Sequence, residues 1–160
     1  MVLGLFRPKP VSPRLERLHS LFLFVNLTPA ELAIVDGLLH ERDYCADEVI
    51  FDEGEEGQAI YIVLEGRVAI RRDNDGEPVV LAEMEAGAVF GDVALLNNAP
   101  RLAQARAATS CRLAVFFRED FMTLLDTHAR IASKISLQIA RTLANRLRDV
   151  RIAPQTSQHL

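Results

Sequence analysis

The chain has 160 residues, 49% of them hydrophobic and 25% charged, with 18 bases against 22 acids for a net charge of -4. That length suits one domain with one core, the apolar fraction excludes a disordered chain, and no run approaches the roughly 18 uninterrupted apolar residues of a membrane-spanning helix. Cys45 and Cys111 stand far apart with no CxxC pair and no histidine cluster beside them, which excludes a zinc site, an iron–sulfur cluster and a disulfide framework.

In chain order, the opening stretch MVLGLFRPKPVSPR has a short apolar run and no small-residue cleavage site. It reads as no signal peptide, so residues 1–11 are expected to be a tail and the protein cytoplasmic. Ser12-Pro13 reads as an N-cap followed by proline in the first helical turn, leading a short helix through Leu15, Leu18, Phe22 and Leu23. Thr28-Pro29-Ala30-Glu31 is a capping box with Leu27 placed to staple against Leu32, and it predicts a helix from about Pro29 to Leu39.

From His40 to Phe117 the helical spacing gives way to short runs of β-branched and aliphatic residues. They are Glu48–Phe51, Ala59–Leu64, Arg67–Arg72, Pro78–Met84, Ala103–Thr109 and Arg112–Phe117, separated by turns rich in Gly, Asp and Asn. Many short strands at that spacing predict an antiparallel β-barrel of jelly-roll (double-stranded β-helix) type. The acidic residues at 52–56 lack the spacing of a calcium loop and read as a solvated turn.

Phe121, Leu124 and Leu125 mark a short helix, and Ala129–Val150 a long one without internal proline or glycine. Its apolar positions Ile131, Ile135, Ile139, Leu143, Leu147 and Val150 form one stripe, with Arg130, Lys134, Arg141, Arg146 and Arg148 around much of the rest. Such a stripe packs either on its own barrel or on a second chain. A helix of this length spans roughly 33 Å, more than a small barrel easily covers, so part of it is expected to meet a partner, most simply a second copy. The fold class is α+β: helices over 12–39, the barrel over 40–117, C-terminal helices over 118–150 and a tail over 151–160.

The segment Val89–Ala107 carries the chemistry. Gly91 lets a ligand approach the backbone, and a short helical turn after it exposes the amides of Asp92, Val93 and Ala94, a seat that favours negative charge. Arg101, held after Pro100 at the start of the next strand, can complete that seat with a forked contact to a phosphate. Asp92 repels an anion but accepts from a sugar hydroxyl. Amides, arginine and carboxylate together describe a ribose bearing a phosphate.

These residues resemble the phosphate-binding cassette of cyclic nucleotide-binding domains, the type found in catabolite activator proteins and protein kinase A regulatory subunits. Phe90-Gly91-Asp92-Val93-Ala94-Leu95 and Pro100-Arg101-Leu102-Ala103 fall on the family pattern, and Leu27–Leu32, Val49–Gly54, Tyr61–Gly66 and Cys111-Arg112-Leu113 follow in family order. The resemblance implies backbone contacts from Gly91, Val93 and Ala94, a cyclic phosphate on Arg101, and a ribose 2′-hydroxyl on Asp92. Leu81, Met84 and Phe90 become the apolar walls for the base. The family's usual glutamate is Asp92 here, one methylene shorter, and Leu102 replaces a serine that touches the phosphate. The adenine-contacting pair of the last helix falls at Arg146 and Leu147, which leaves Asn145 and Arg146 as the candidates to face the base.

Only ten residues follow Val150, too few for the helix-turn-helix domain that DNA-reading relatives place there, so no DNA partner is expected. No Gly-rich phosphate loop, GxSxG elbow or Cys/His nucleophile pair occurs, and His19, His40, His128 and His159 are scattered, so neither an enzyme nor a metal is expected, and His128 is the one weak candidate for a haem ligand. The expected function is a sensor or regulatory module for a cyclic mononucleotide, cyclic AMP or cyclic GMP, with no other cofactor. It signals through residues 129–150 to a homodimer partner or an effector protein, away from membranes. The alternative is a ligand-independent dimerisation module with a degenerate pocket. The charge is sorted, with basic ends of +3 over 1–20 and +5 over 129–160 around a body of -12. In such a field one arginine beside bare amides should favour a singly charged cyclic phosphate over multiply charged nucleotides.

Overall fold

The computed structural model describes residues 12–152, with side chains to Asp149. The tail expected over 1–11 lies outside the described residues, as do 153–160 of the tail expected from 151. Helix α1 (Pro13–His19) starts as its chemistry requires: the Ser12 hydroxyl accepts from the Leu15 amide at 3.2 Å, with Pro13 in the first turn. It ends four residues earlier than the expected Leu23. The chain continues in tight turns in which the amides of Leu21, Phe24 and Leu27 donate to the carbonyls of Leu18, Leu21 and Phe24. This three-residue repeat puts Leu18, Leu21, Phe24 and Leu27 all in the core, which a 3.6-residue helix would fan apart.

Helix α2 (Pro29–Asp36) carries the reciprocal capping box, Thr28 N to Glu31 Oε2 at 2.9 Å and Glu31 N to Thr28 Oγ1 at 3.3 Å. It stops at Gly37 rather than Leu39, because Leu39 opens a strand. That strand, β1 (Leu39–Tyr44), is one the residue pattern does not predict: Leu-His-Glu-Arg-Asp-Tyr is polar and nearly all exposed. Pairing creates it, since it lies antiparallel along one sheet edge from Leu39↔Phe116 to Tyr44↔Cys111. An exposed edge strand has no inward face to impose alternation.

The remaining strands are β2 (Val49–Phe51), β3 (Ala59–Glu65), β4 (Val68–Asn74), β5 (Glu77–Met84), β6 (Val89–Phe90), β7 (Gln104–Ala107) and β8 (Cys111–Phe117), with a 3-10 turn at Asp92–Leu95 between β6 and β7. They form two four-stranded antiparallel sheets, ordered β1-β8-β3-β6 and β2-β7-β4-β5. This is the jelly-roll arrangement that the strand spacing predicts.

β3 and β8 are buried on both faces, which explains why they read as unbroken apolar runs. Ile60, Ile62, Ala114 and Phe116 face a core shared with the helices. Val63, Cys111 and Leu113 face the barrel interior with Phe51, Val68, Phe90, Ala105 and Ala107. Helix α3 (Arg118–Thr127) adds Phe121 and Leu124 to the helical core.

Helix α4 (Ala129–Ile152) divides the expected stripe. Ile131, Ile135 and Ile139 are fully buried against this chain's own core, Leu143 is half-buried, and Leu147 is 66% exposed. Each buried isoleucine contributes about 1.5–3 kcal/mol, which anchors α4 over its first three turns. Those positions are therefore not a seam for a second chain. Val150, the last member of the stripe, lies beyond the described side chains. Lys134 ties α4 to α2 through a 2.6 Å ion pair with Glu31. Among the described residues no helix is long and apolar enough to cross a membrane.

Candidate functional site

A cavity of about 520 Å³ opens between β6, the 3-10 turn, the loop 97–103 and α4. Its construction begins at Gly91, whose backbone is left-handed (φ 73°), a conformation that glycine adopts without strain. That kink turns the chain from β6 into the 3-10 turn and leaves the amides of Asp92 and Val93 without an acceptor among the described residues. The Ala94 amide is already committed, donating to Gly91 O at 3.1 Å. Of the amides expected to form an anion seat, two are free and one is used internally.

Arg101 reaches the cavity because the acidic turn at 52–57 holds its backbone. Arg101 N donates to Glu55 O at 2.7 Å, Gly54 N donates to Arg101 O at 2.8 Å, and Gly57 N donates to Ala99 O at 3.3 Å. A methyl at Gly57 would lie 3.0 Å from Ala94 Cβ and 3.3 Å from Ala99 O, so this turn packs closely only with glycine there. The Arg101 guanidinium lies 4.1 Å from the Phe51 ring centroid and 5.8 Å from that of Tyr61. Its Nη2 donates to Ala59 O at 2.6 Å, its Nη1 to Gly91 O at 3.4 Å, and its Nε is buried without a partner. Burial lowers the Arg101 pKa and raises that of Tyr61, yet a guanidinium remains charged at neutral pH. Among the described residues no carboxylate is within ion-pair distance of it.

Asp92 is the one buried acidic side chain among the described residues, 3% exposed. Oδ1 accepts from Arg146 Nη1 at 3.2 Å, and Oδ2 is buried with no partner. A half-buried cation without a counter-ion and a buried acceptor without a donor thus line one cavity. Such groups are costly to leave unmet and define where an anion and a hydroxyl would bind.

Residues 41–128 match the cyclic nucleotide-binding domain. The chain belongs to that family. The cyclic AMP receptor protein of Thermus thermophilus is 34% identical over 122 residues, 76% of this chain and 56% of that protein. The solved catabolite activator protein of the same organism superposes with a TM-score of 0.74 at 32% identity, covering 82% of this chain and 60% of that one. The regulatory domain of Toxoplasma gondii protein kinase A, crystallised with cAMP, gives a TM-score of 0.64 at 32% identity over 68% of this chain and 42% of its own. The chain spans less than two thirds of the curated relatives it matches.

In this cyclic nucleotide-binding domain, most of the residues singled out in the sequence converge. Phe90, Gly91, Asp92, Val93, Ala94, Arg101, Leu102, Met84 and Arg146 all line the cavity. Leu81 and Asn145 do not. Leu81 occupies the bulge where β5 gains a residue against β4, between Ile70↔Ala82 and Arg71↔Val80, and is 52% exposed. Strand alternation already separates it from Met84, three positions on, so Ala82 and not Leu81 shares the inward face. Asn145 is exposed on α4 and does not line the cavity, whereas its neighbour Arg146 does. Leu102 lines the mouth but is 77% exposed.

Phe51, Tyr61, Ile70 and Gly57 were missed. Tyr61 and Phe90 are register partners and stack at 5.3 Å, with Phe51 completing the aromatic platform under Arg101. The available signal was the alternation of β3, which sends Tyr61 and Val63 to one face and Ile60 and Ile62 to the other. His128, the weak haem candidate, is exposed and paired at 3.0 Å with Thr127 Oγ1, outside the cavity. Among the described residues no group of three or more His, Cys, Asp or Glu could hold a metal ion.

Proposed function

We propose that this chain is a cyclic-nucleotide sensor whose cavity takes a cyclic mononucleotide, cyclic AMP or cyclic GMP, and whose α4 passes the response to a second copy or an effector protein. The observation that carries the reading is the pairing, in one cavity, of the counter-ion-free Arg101 guanidinium with the unpartnered Asp92 Oδ2. In this reading the cyclic phosphate meets Arg101 and the amides of Asp92 and Val93, the ribose 2′-hydroxyl donates to Asp92, and the base rests on Met84, Ile70 and Phe90. The cavity volume falls within the range of about 300–1,000 Å³ typical of small-molecule sites. The protein kinase A regulatory domain that shares this fold was crystallised with cAMP, which supports the ligand class.

A nucleotide of about 22 heavy atoms at roughly -0.3 kcal/mol per atom binds with a dissociation constant on the order of 10 μM. Titration calorimetry with cyclic AMP and cyclic GMP tests the reading directly. Heat with one of them, lost in Arg101→Ala, supports it; no heat from either overturns it.

The ligand-independent alternative draws on a specific observation, the donation of both Arg101 Nη groups to backbone carbonyls. A pocket so self-satisfied needs no ligand, and the same titration separates the two. Contact with a second copy or an effector would use the exposed apolar residues of α4, Leu137 and Leu147, which are 48% and 66% exposed. Light scattering of wild type and Leu147→Asp tests the dimer: a smaller particle in the variant supports it, and an unchanged monomeric mass in both excludes it.

A further inference from the structure

Asp92 divides its carboxylate between two surroundings. Its side chain is 5% exposed, Oδ1 is held by Arg146, and Oδ2 is buried beside the cavity without a partner. Arg146 belongs to a part of α4 with little other attachment: from Ala144 to Asp149 every residue is exposed. Among the described residues, the Arg146–Asp92 pair is the one ion pair or side-chain hydrogen bond from this end of α4 to the barrel. Two of the positions that depart from the family pattern, Asp92 in the cassette and Arg146 in the last helix, are thereby in contact.

We infer that Arg146 is the positioning residue of the site: by holding Oδ1 it presents Oδ2 as the single acceptor for a ribose 2′-hydroxyl, so that the end of α4 and the ligand bind the same carboxylate together. This rests on the cyclic-nucleotide reading. A hydroxyl can donate to Oδ2 without displacing Arg146, because the two oxygens are engaged separately. The bound phosphate adds negative charge to a cavity that Arg146 also lines, which strengthens the hold on the guanidinium. Both effects have the same sign. Ligand tightens the end of α4 against the barrel, and by reciprocity the docked helix raises ligand affinity by the same factor. Arg146 therefore touches Asp92 rather than the base, and its influence on selectivity is exerted on the sugar.

The test combines calorimetry with cyclic AMP, cyclic GMP and their 2′-deoxy analogues with hydrogen exchange of residues 141–149, in the full chain and in Arg146→Gln and Arg146→Lys. In the wild type, ligand should slow exchange over 141–149. In Arg146→Gln the ribonucleotide should bind about tenfold more weakly, the preference over the 2′-deoxy analogue should shrink, and the ligand-dependent protection should vanish. Arg146→Lys, which restores a cation, should recover most of that protection. Equal affinity and equal protection in Arg146→Gln overturn the inference. So does tighter binding in that variant with ligand-accelerated exchange in the wild type, which would make Arg146 a competitor for Asp92. If the wild type binds no cyclic nucleotide, the sensor reading falls and this coupling with it. That failure is distinguishable, because ligand-free exchange over 141–149 then reports the ion pair alone, faster in Arg146→Gln than in wild type.

Discussion

Gly91 and Arg101 are in direct apposition: a methyl group on Gly91 would stand 2.6 Å from Arg101 Nη1 and 3.4 Å from Ala59 O. The guanidinium can swing away from such a methyl, but only by leaving the position that faces the cavity. Gly91→Ala also places an alanine at φ 73°, which costs about 1–3 kcal/mol. We expect a modest loss of stability in urea denaturation together with loss of nucleotide binding in calorimetry. A variant that binds like the wild type would show that the guanidinium position is immaterial.

Arg101→Ala should separate binding from folding. Removing the charged partner of a desolvated phosphate costs on the order of 2–5 kcal/mol of binding, while Arg101 gives the fold contacts with the Phe51 and Tyr61 rings and two carbonyl bonds. Arg101→Lys retains the charge but not the fork, so intermediate affinity is expected. Affinities within twofold across the three proteins would remove Arg101 from the site.

The cavity should reject dianions. Arg146 is engaged by Asp92, which leaves Arg101 as the one cation without a carboxylate partner among the cavity-lining residues. A 5′-monophosphate carries close to one charge more than a cyclic phosphate at neutral pH, in a body of net charge -12. AMP should therefore compete at least about tenfold more weakly than cyclic AMP in a displacement assay. Equal competition would indicate that charge does not select the ligand.

Glu31 links stability to pH. The Lys134 ammonium, and after it the Thr28 amide, hold its carboxyl below the ordinary value of 4.5. A depressed carboxylate contributes stability above its unfolded pKa and loses it as pH falls through the folded one. Urea stability should thus decline from about pH 5 to pH 3, and Glu31→Gln should decline less steeply over that window. Thr28→Ala, which removes one half of the capping box, should cost about 1 kcal/mol at neutral pH. Parallel pH profiles in wild type and Glu31→Gln would exclude Glu31 as a source of the slope.

The two halves of α4 should respond differently to truncation. Ile135→Ala removes side-chain volume from a site with no exposure and should destabilise by about 2–5 kcal/mol. Leu147→Ala, on the exposed end, should change monomer stability by less than about 0.5 kcal/mol. A large effect at Leu147 would instead reveal a partner covering it.

Interactions closed within a few residues are legible in the amino-acid sequence. The Ser12 and Thr28 caps, the glycine-kinked cassette and the alternating strands are set by local hydrogen bonding and steric preference, and they appear where the residues dictate. Elements defined by distant partners are not legible in this way. β1 is a strand only because β8 offers it an edge, and Leu81 leaves the cavity because β5 bulges against β4.

The same division holds in the site. Residue identity alone put Gly91, Asp92 and Arg101 in one functional segment, since their chemistry is intrinsic and their spacing short. Tertiary packing decided what each of them touches. Arg101 lies over Phe51 because strands from two sheets converge, and Arg146 meets Asp92 across 54 positions because buried Ile131, Ile135 and Ile139 fix the direction in which α4 runs. Three buried isoleucines could be read as a stripe from their period, but a period carries no information about which surface covers it. Only burial against this chain's own core removed that ambiguity, and among the described residues the far end of α4 is tied to the barrel through the one carboxylate of Asp92.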